Sequence, residues 1–301
     1  MNVVMGATGH IGSALADALL DRGEPVTVVV RRPADAAAWE AKGAVAVQAD
    51  LEDGDALQNA FRRGRRAFLL NPPADVSGDT DAGELHTIAR ILAAVDGSGL
   101  EKVVAASTYG ARPGSGVGDL TTLWELEQGL ARQPIAAAIN RGAYYMSNWE
   151  SALGTIVEGG TLSTMFPADT EIPMVAPADL GRAAADRLLS PLSDVGVKFI
   201  EGPRRYTPQD VADAFSRALG RRVELKVIPR EDWKAAFKGM GFSDAAAGNY
   251  TRMTEASLDG DFAKPADPVR GETTLEDYIA EFVERERRSA PVPASPGADG
   301  G

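Results

Sequence analysis

Val3-Val4-Met5-Gly6-Ala7-Thr8-Gly9-His10-Ile11-Gly12 runs a short apolar stretch straight into three glycines spaced three apart. Ser13 to Leu20 continues with helical periodicity. A strand, this turn and a helix in succession form the element that holds a dinucleotide diphosphate. The first glycine allows a tight turn, the second lets the backbone approach the phosphates, and the third lets the helix pack on the strand. Free N–H groups at the helix start, helped by the helix dipole, then face the anion. Gly6, Thr8, Gly9, His10, Ile11 and Gly12 are therefore the expected diphosphate contacts, with the His10 side chain bordering phosphate or solvent.

Outward from the turn, Val26-Thr27-Val28-Val29-Val30 reads as a second strand, β-branched on both faces as in buried parallel sheets. A site selecting NAD would end this strand in Asp or Glu to bind the ribose 2′-hydroxyl. Here Arg31-Arg32-Pro33 stands in that place. Guanidinium groups suit a 2′-phosphate, which arginine binds in bidentate fashion, so the expected cofactor is NADPH in preference to NADH. Arg31 is the expected direct contact, and Arg32 flanks the adenine.

Strands and helices continue to alternate over the first two-thirds of the chain, which predicts an α/β, doubly wound parallel sheet. The expected strands are Asn2–Met5, Val26–Val30, Val45–Gln48, Arg66–Leu70, Lys102–Ala106, Ile135–Asn140 and Val197–Ile200. After about Trp149 the segments become irregular, with turns at Gly159-Gly160, Pro167, Pro173 and Pro177. The expected organisation is a Rossmann dinucleotide-binding domain over 1–150, with its sheet completed by about 172–202. A smaller α+β substrate lobe over 151–288 interleaves with it, and a disordered tail spans 289–301.

Composition narrows the function classes. The 301 residues are 44% hydrophobic and 25% charged, typical of a globular protein with a large core. A net charge of −12 with no basic stripe argues against nucleic acid. No apolar run approaches the ~18 residues of a membrane span, and the early first strand leaves no room for a signal peptide. With no cysteine and two distant histidines, neither thiol chemistry nor a metal site is expected, and the expected location is the cytoplasm.

A further set of motifs follows in order: Asp50-Leu51, Leu69-Leu-Asn-Pro-Pro73, Val103-Val-Ala-Ala-Ser-Thr-Tyr-Gly110, Asn140-Arg-Gly142, Asn148, Ile172-Pro-Met-Val175, Ala178-Asp-Leu-Gly181 and Glu201-Gly-Pro203. Together with the glycine turn they resemble the NmrA-like branch of the atypical short-chain dehydrogenase/reductases over about residues 1–285. That branch includes NAD(P)H-dependent quinone and triphenylmethane-dye reductases, as well as redox-sensing regulators. The resemblance implies that Asp50 and Leu51 lie beside the adenine, and that Asn71, Pro72 and Pro73 line the ribose and the middle of the cofactor. It places Ser107 and Tyr109 at the nicotinamide and substrate. Arg141, Gly142 and Ala143 form the turn over the nicotinamide, where many relatives carry Arg-Pro-Gly. Tyr144, Tyr145, Met146 and Asn148 then face the pocket between the lobes.

One negative shapes the expected chemistry. Ordinary short-chain dehydrogenases use Tyr-x-x-x-Lys, the lysine lowering the tyrosine pKa for proton transfer. Four residues after Tyr109, Tyr144, Tyr145, Tyr206, Tyr250 and Tyr278 come Pro113, Asn148, Trp149, Asp210, Thr254 and Phe282, so no pair exists. Hydride transfer to an already electrophilic acceptor dispenses with that pair and relies on orientation. The expected activity is NADPH-dependent reduction of a planar, electron-poor acceptor, quinone-like or dye-like. Tyr109, Tyr144 and Ser107 are the candidate catalytic groups, and Tyr145, Met146 and Asn148 the candidate substrate contacts. Glu125 and Glu127 are expected on a solvated helix face. The expected partner is a small aromatic molecule, a homodimer being allowed. The alternative is a non-catalytic NADP(H)-sensing regulatory protein.

Overall fold

In the computed structural model, which describes residues 1–260 and 265–289, eight parallel strands form one sheet. They are β1 (Asn2–Val4), β2 (Val26–Val30), β3 (Val45–Gln48), β4 (Arg66–Leu69), β5 (Lys102–Thr108), β6 (Ala136–Gly142), β10 (Gly196–Glu201) and β13 (Val269–Arg270). Their spatial order is β13-β10-β6-β5-β4-β1-β2-β3. The strand order reverses between β1 and β4, and ligands bind at the carboxyl ends of strands at such a switch point. The glycine turn lies there.

The helices over the sheet are α1 (His10–Asp21), α2 (Pro33–Ala41), α3 (Gly54–Phe61), α4 (Thr80–Val95), α5 (Asp119–Ala131) and α7 (Pro177–Leu189). One face of the sheet joins Val4, Val28 and Phe68 to α1 and α7 through Leu15, Leu19 and Leu188. The other joins Val3, Leu69 and Val103 to α3, α4 and α5 through Phe61, Ile91 and Leu126. Burial on both faces is why these strands read as nearly unbroken apolar runs.

A third core lies around Tyr206, Phe215, Trp149, Met174 and Phe282. It gathers β7 (Tyr144–Tyr145), β9 (Ile172–Val175) and β11 (Arg205–Tyr206), a three-stranded sheet. The parallel pair β8 (Thr161–Thr164) and β12 (Glu224–Val227) joins it, with α6 (Leu153–Gly159), α8 (Pro208–Leu219) and α11 (Leu275–Ser289). Short α9 (Trp233–Gly239) and α10 (Asp244–Asp259) complete the chain's helices among the described residues.

Several elements are not expected from the sequence, β13 and α10 among them. β13 adds an eighth strand to the seven expected, and at two residues it is too short to carry a periodic signal. α10, begun by a Ser243 side-chain cap on the Ala246 N–H, has no clear apolar stripe in sequence. Ser289, expected in the tail, instead ends α11, while 290–301 lie outside the described residues. No helix among the described residues is long and apolar enough to cross a membrane.

Candidate functional site

The three glycines serve three distinct geometric needs. Gly6 closes β1 at φ +68°, the left-handed region, and a Cβ there would lie 2.6 Å from Leu70 Cδ2. The Gly9 N–H donates to the Gly6 carbonyl at 2.9 Å, which folds the turn. At Gly12 a Cβ would fall 2.2 Å from the Gly6 carbonyl oxygen, so only glycine lets α1 start this close to β1. Four other helix starts carry a side-chain cap: Asp53 on α3, Asp79 on α4, Thr207 on α8 and Ser243 on α10. α1 has Gly9 at its N-cap and no side-chain cap. The first intrahelical bond runs from the Ser13 N–H to the Gly9 carbonyl, so the N–H groups of His10, Ile11 and Gly12 find no acceptor within α1. Thr8, Gly9 and His10 are exposed beside them, while Ile11 packs inward.

Asn71, just past β4, lies next to this turn through Leu70. Its Oδ1 is buried and has no hydrogen-bond partner. Buried polar atoms without partners are rare and ask for an explanation. An open helix N-terminus, a turn that only glycine fits and a spare acceptor beside them suit a dinucleotide. Pro72 is half-buried and Pro73 exposed on the same segment.

On the expected adenosine side, the two arginines after β2 have separate fates. Arg32 is locked to Asp35 in a bidentate pair, Nε to Oδ2 and Nη2 to Oδ1, both at 2.8 Å. The exposed Arg31 guanidinium makes no hydrogen bond among the described residues, though its charge is felt at Asp35, and its carbonyl accepts from Gln48 Nε2 at 3.0 Å. Asp50, exposed at the end of β3, accepts the Glu52 N–H at 2.9 Å, and half-buried Leu51 packs on the core beneath.

Toward the expected nicotinamide end, residues assigned separately turn out to be wired together. Ser107 is buried, and its hydroxyl donates to Glu127 Oε1 at 2.5 Å. Arg141 of β6 grips the same carboxylate with two bonds, at 2.9 and 2.7 Å. Glu127 therefore does not lie on a solvated face: it is 6% exposed and points into the sheet, whereas Glu125 is exposed. The reason is its partner, since an arginine on β6 offers the pairing that a buried carboxylate requires.

Tyr109 reaches across the end of β6. Its hydroxyl donates to Glu201 Oε1 at 3.0 Å, and its ring meets Phe199 edge-on at 5.0 Å. Glu201, fully buried at the end of β10, is also held by Arg270 at 2.8 Å. Burial, and next the Glu201 charge, push the Tyr109 phenol far above the usual tyrosine range, so it stays protonated. The Tyr109 N–H donates to the Gly142 carbonyl at 3.0 Å, and Ala143 is buried with its N–H on Ile200. Tyr144 turns into the third core against Trp149 and Phe166, its phenol pushed up to about 12 by burial. Tyr145 turns the other way, onto the core under α1 and α7. Asn148 is exposed, but Met146 is fully buried in the third core and does not face a pocket. It occupies an inward position of the 3₁₀ segment Met146–Ala152.

Glu201, part of a quoted motif, receives no site role from the sequence because nothing in its own segment announces a partner just past β5. Glu84 receives none either. It lies buried at the start of α4, hydrogen-bonded to the Asp119 carboxyl and accepting from Thr122 Oγ1 at 2.7 Å. Burial, and next the Asp119 charge, push it up to about 8. A carboxyl raised in the folded state stabilises the fold below its unfolded value of 4.5, and that contribution drains away as pH rises toward about 8. Thermal melts are therefore expected to show Glu84→Gln gaining several degrees over the parent at pH 9 and little at pH 5. Parallel Tm profiles for the two proteins would show that the carboxyl is not held this way. Among the described residues no cluster of His, Cys, Asp or Glu could hold a metal ion.

The NmrA-like family model matches residues 2–279. This chain belongs to the NmrA-like family. It is similar to an NAD(P)H azoreductase of Xenophilus azovorans, 26% identical and covering 82% of this chain and 84% of that protein. It is similar also to quinone oxidoreductase 2 of Escherichia coli, 25% identical over 82% and 84% of the two chains. Among solved structures, triphenylmethane reductase of Citrobacter sp. superposes with a TM-score of 0.76 at 18% identity, over 94% of this chain and 99% of that one. At that identity the likeness speaks for the Rossmann-like α/β fold of this family member.

Proposed function

We propose that this NmrA-like protein is an NADPH-dependent reductase that reduces a planar, electron-poor acceptor, quinone-like or conjugated dye-like, without a Tyr-x-x-x-Lys relay. The observation that carries the reading is the uncapped start of α1 beside the unpartnered Asn71 oxygen. Matched relatives named as azoreductase and quinone oxidoreductase support it. The N–H groups of His10, Ile11 and Gly12 bind the diphosphate, and Asn71 and Asp50 hold the adenosine half. Arg31, free where Arg32 is committed, binds the 2′-phosphate and favours NADPH over NADH.

When bound, the nicotinamide supplies the hydride. The residues around it orient and exclude water. Arg141 and Ser107, cross-braced by Glu127, hold the ends of β5 and β6, and Gly142-Ala143 turn over the site. Two of the three candidate hydroxyls are already spent as donors, Ser107 on Glu127 and Tyr109 on Glu201, and the third, on Tyr144, belongs to a ring turned into the third core. That favours an acceptor whose reduction needs no acid from these groups, its proton coming from solvent. Tyr109 and Tyr145 offer ring surface for a flat molecule, with Asn148 at the mouth.

The test follows nicotinamide absorbance with a panel of quinones, azo dyes and triphenylmethane dyes, preceded by NADPH and NADH titrations of the parent and Arg31→Glu. Accelerated NADPH loss with at least one acceptor class is expected. Arg31→Glu should weaken NADPH on the order of 10- to 100-fold, the range for a charge-assisted bond, and leave NADH nearly unchanged. Tight NADPH binding with no acceptor accelerating its loss would overturn the reductase reading. Equal losses for both cofactors would remove Arg31 from the 2′-phosphate.

A further inference from the structure

His10 is the one side chain in the glycine turn able to carry charge, and it faces away from the sheet toward the third core. Its Nε2 lies 3.7 Å from Glu150 Oε2. Glu150 belongs to the 3₁₀ segment after β7 and is itself tied to the C-terminal helix. Tyr278 Oη donates to Glu150 Oε1 at 2.5 Å and Arg285 Nη2 at 3.2 Å, both residues on α11. The His10 side chain is 56% exposed and that of Glu150 only 17%, so the imidazole is the open end of this chain of contacts. A line of polar contacts thus runs from the start of α1, through the 3.7 Å approach of His10 to Glu150, to the hydrogen bonds that Glu150 makes with α11.

We infer that His10 bridges the cofactor diphosphate to Glu150, so that cofactor binding takes up a proton and tightens the hold of α11. This rests on the reading that the glycine turn binds the diphosphate. The charges decide the sign. The groups that meet the imidazole and its partner are Glu150, Tyr278 and Arg285, with the positive end of α1 under the ring and Ser13 Oγ on the His10 carbonyl. The open start of α1 carries partial positive charge. A bound diphosphate reverses that field and brings two negative charges toward the Glu150 carboxylate. A neutral imidazole would leave these anions facing one another. An imidazolium donates to one through each nitrogen and satisfies both. Ligand and proton then bind together, and by linkage each strengthens the other.

ADP-ribose is the probe, because it carries the diphosphate without a 2′-phosphate or any group titrating between pH 6 and 8.5. Calorimetry in buffers of different ionisation enthalpy should show proton uptake, with affinity falling about tenfold from pH 6 to pH 8.5. His10→Gln should bind with nearly pH-independent affinity, and Glu150→Gln with a reduced slope. Binding retained at pH 8.5 would show that both variants are folded. Hydrogen exchange in α11 should slow on adding ADP-ribose to the parent and not to His10→Gln. Binding to the parent without proton uptake or pH dependence would overturn the bridge and leave the cofactor site standing. Failure of ADP-ribose to bind at any pH would instead overturn the cofactor reading on which the bridge depends.

Discussion

Gly12→Ala is expected to reduce NADPH affinity at least 100-fold and to lower stability by about 3 kcal/mol, the upper part of the range for overpacking. The added methyl would meet the Gly6 carbonyl oxygen at 2.2 Å, its carbon at 2.5 Å and the Met5 carbonyl oxygen at 2.8 Å. All three are backbone atoms, so no rotamer change relieves the contact. Either α1 lifts from β1 or the turn opens. Each course displaces the N–H groups of His10, Ile11 and Gly12 that are proposed to bind the diphosphate. Gly9→Ala serves as the control, since a Cβ there has its nearest neighbour at 3.5 Å, an ordinary contact. Its methyl would point at the ligand rather than at the fold, so affinity should fall with little change in Tm. Fluorescence titration and thermal melts separate the two. A Gly12→Ala protein with parental Tm would mean that α1 is not pinned to β1 by this contact.

Glu127→Ala is expected to cost about 3–5 kcal/mol, the penalty for stranding one member of a buried ion pair. Side-chain exposures of 12% for Arg141 and 6% for Glu127 leave the arginine little access to water once its partner is gone. The Ser107 hydroxyl loses its acceptor at the same time. The pair joins α5 to β6 directly below the turn that the proposed nicotinamide site uses, so NADPH turnover should drop with stability. A Glu127→Leu/Arg141→Met double variant should recover most of the stability, because an apolar pair of similar volume escapes the desolvation penalty. Denaturant midpoints measure both effects. A loss below about 1 kcal/mol for the single variant would place the pair among weak, solvent-screened contacts.

Much of this molecule was legible in the sequence because its signals are local. The runs Val26–Val30 and Lys102–Thr108 announce buried parallel strands within their own few residues. The glycines of the turn report a backbone geometry that their immediate neighbours impose. Arg31-Arg32 could be placed just past the end of β2 because their distance from the turn is set by one helix and one strand. Locality failed at β13, two residues long, and at α10, whose small and polar residues show no stripe.

The candidate site divides along the same line. Sequence by itself determined the parallel sheet, the glycine turn between β1 and α1 and the missing Tyr-x-x-x-Lys pair, since each depends on residue types at short spacing along one chain segment. Only the tertiary structure decided which charged groups neutralise one another. It committed Arg32 to Asp35 and left Arg31 free, sank Glu127 against Arg141, tied Tyr109 to Glu201 and set His10 against Glu150. Partners separated by between 3 and 140 residues carry no mutual mark in sequence. A carboxylate looks the same whether solvated or buried, and its role is settled by the cation or hydroxyl that folding brings within about 3 Å.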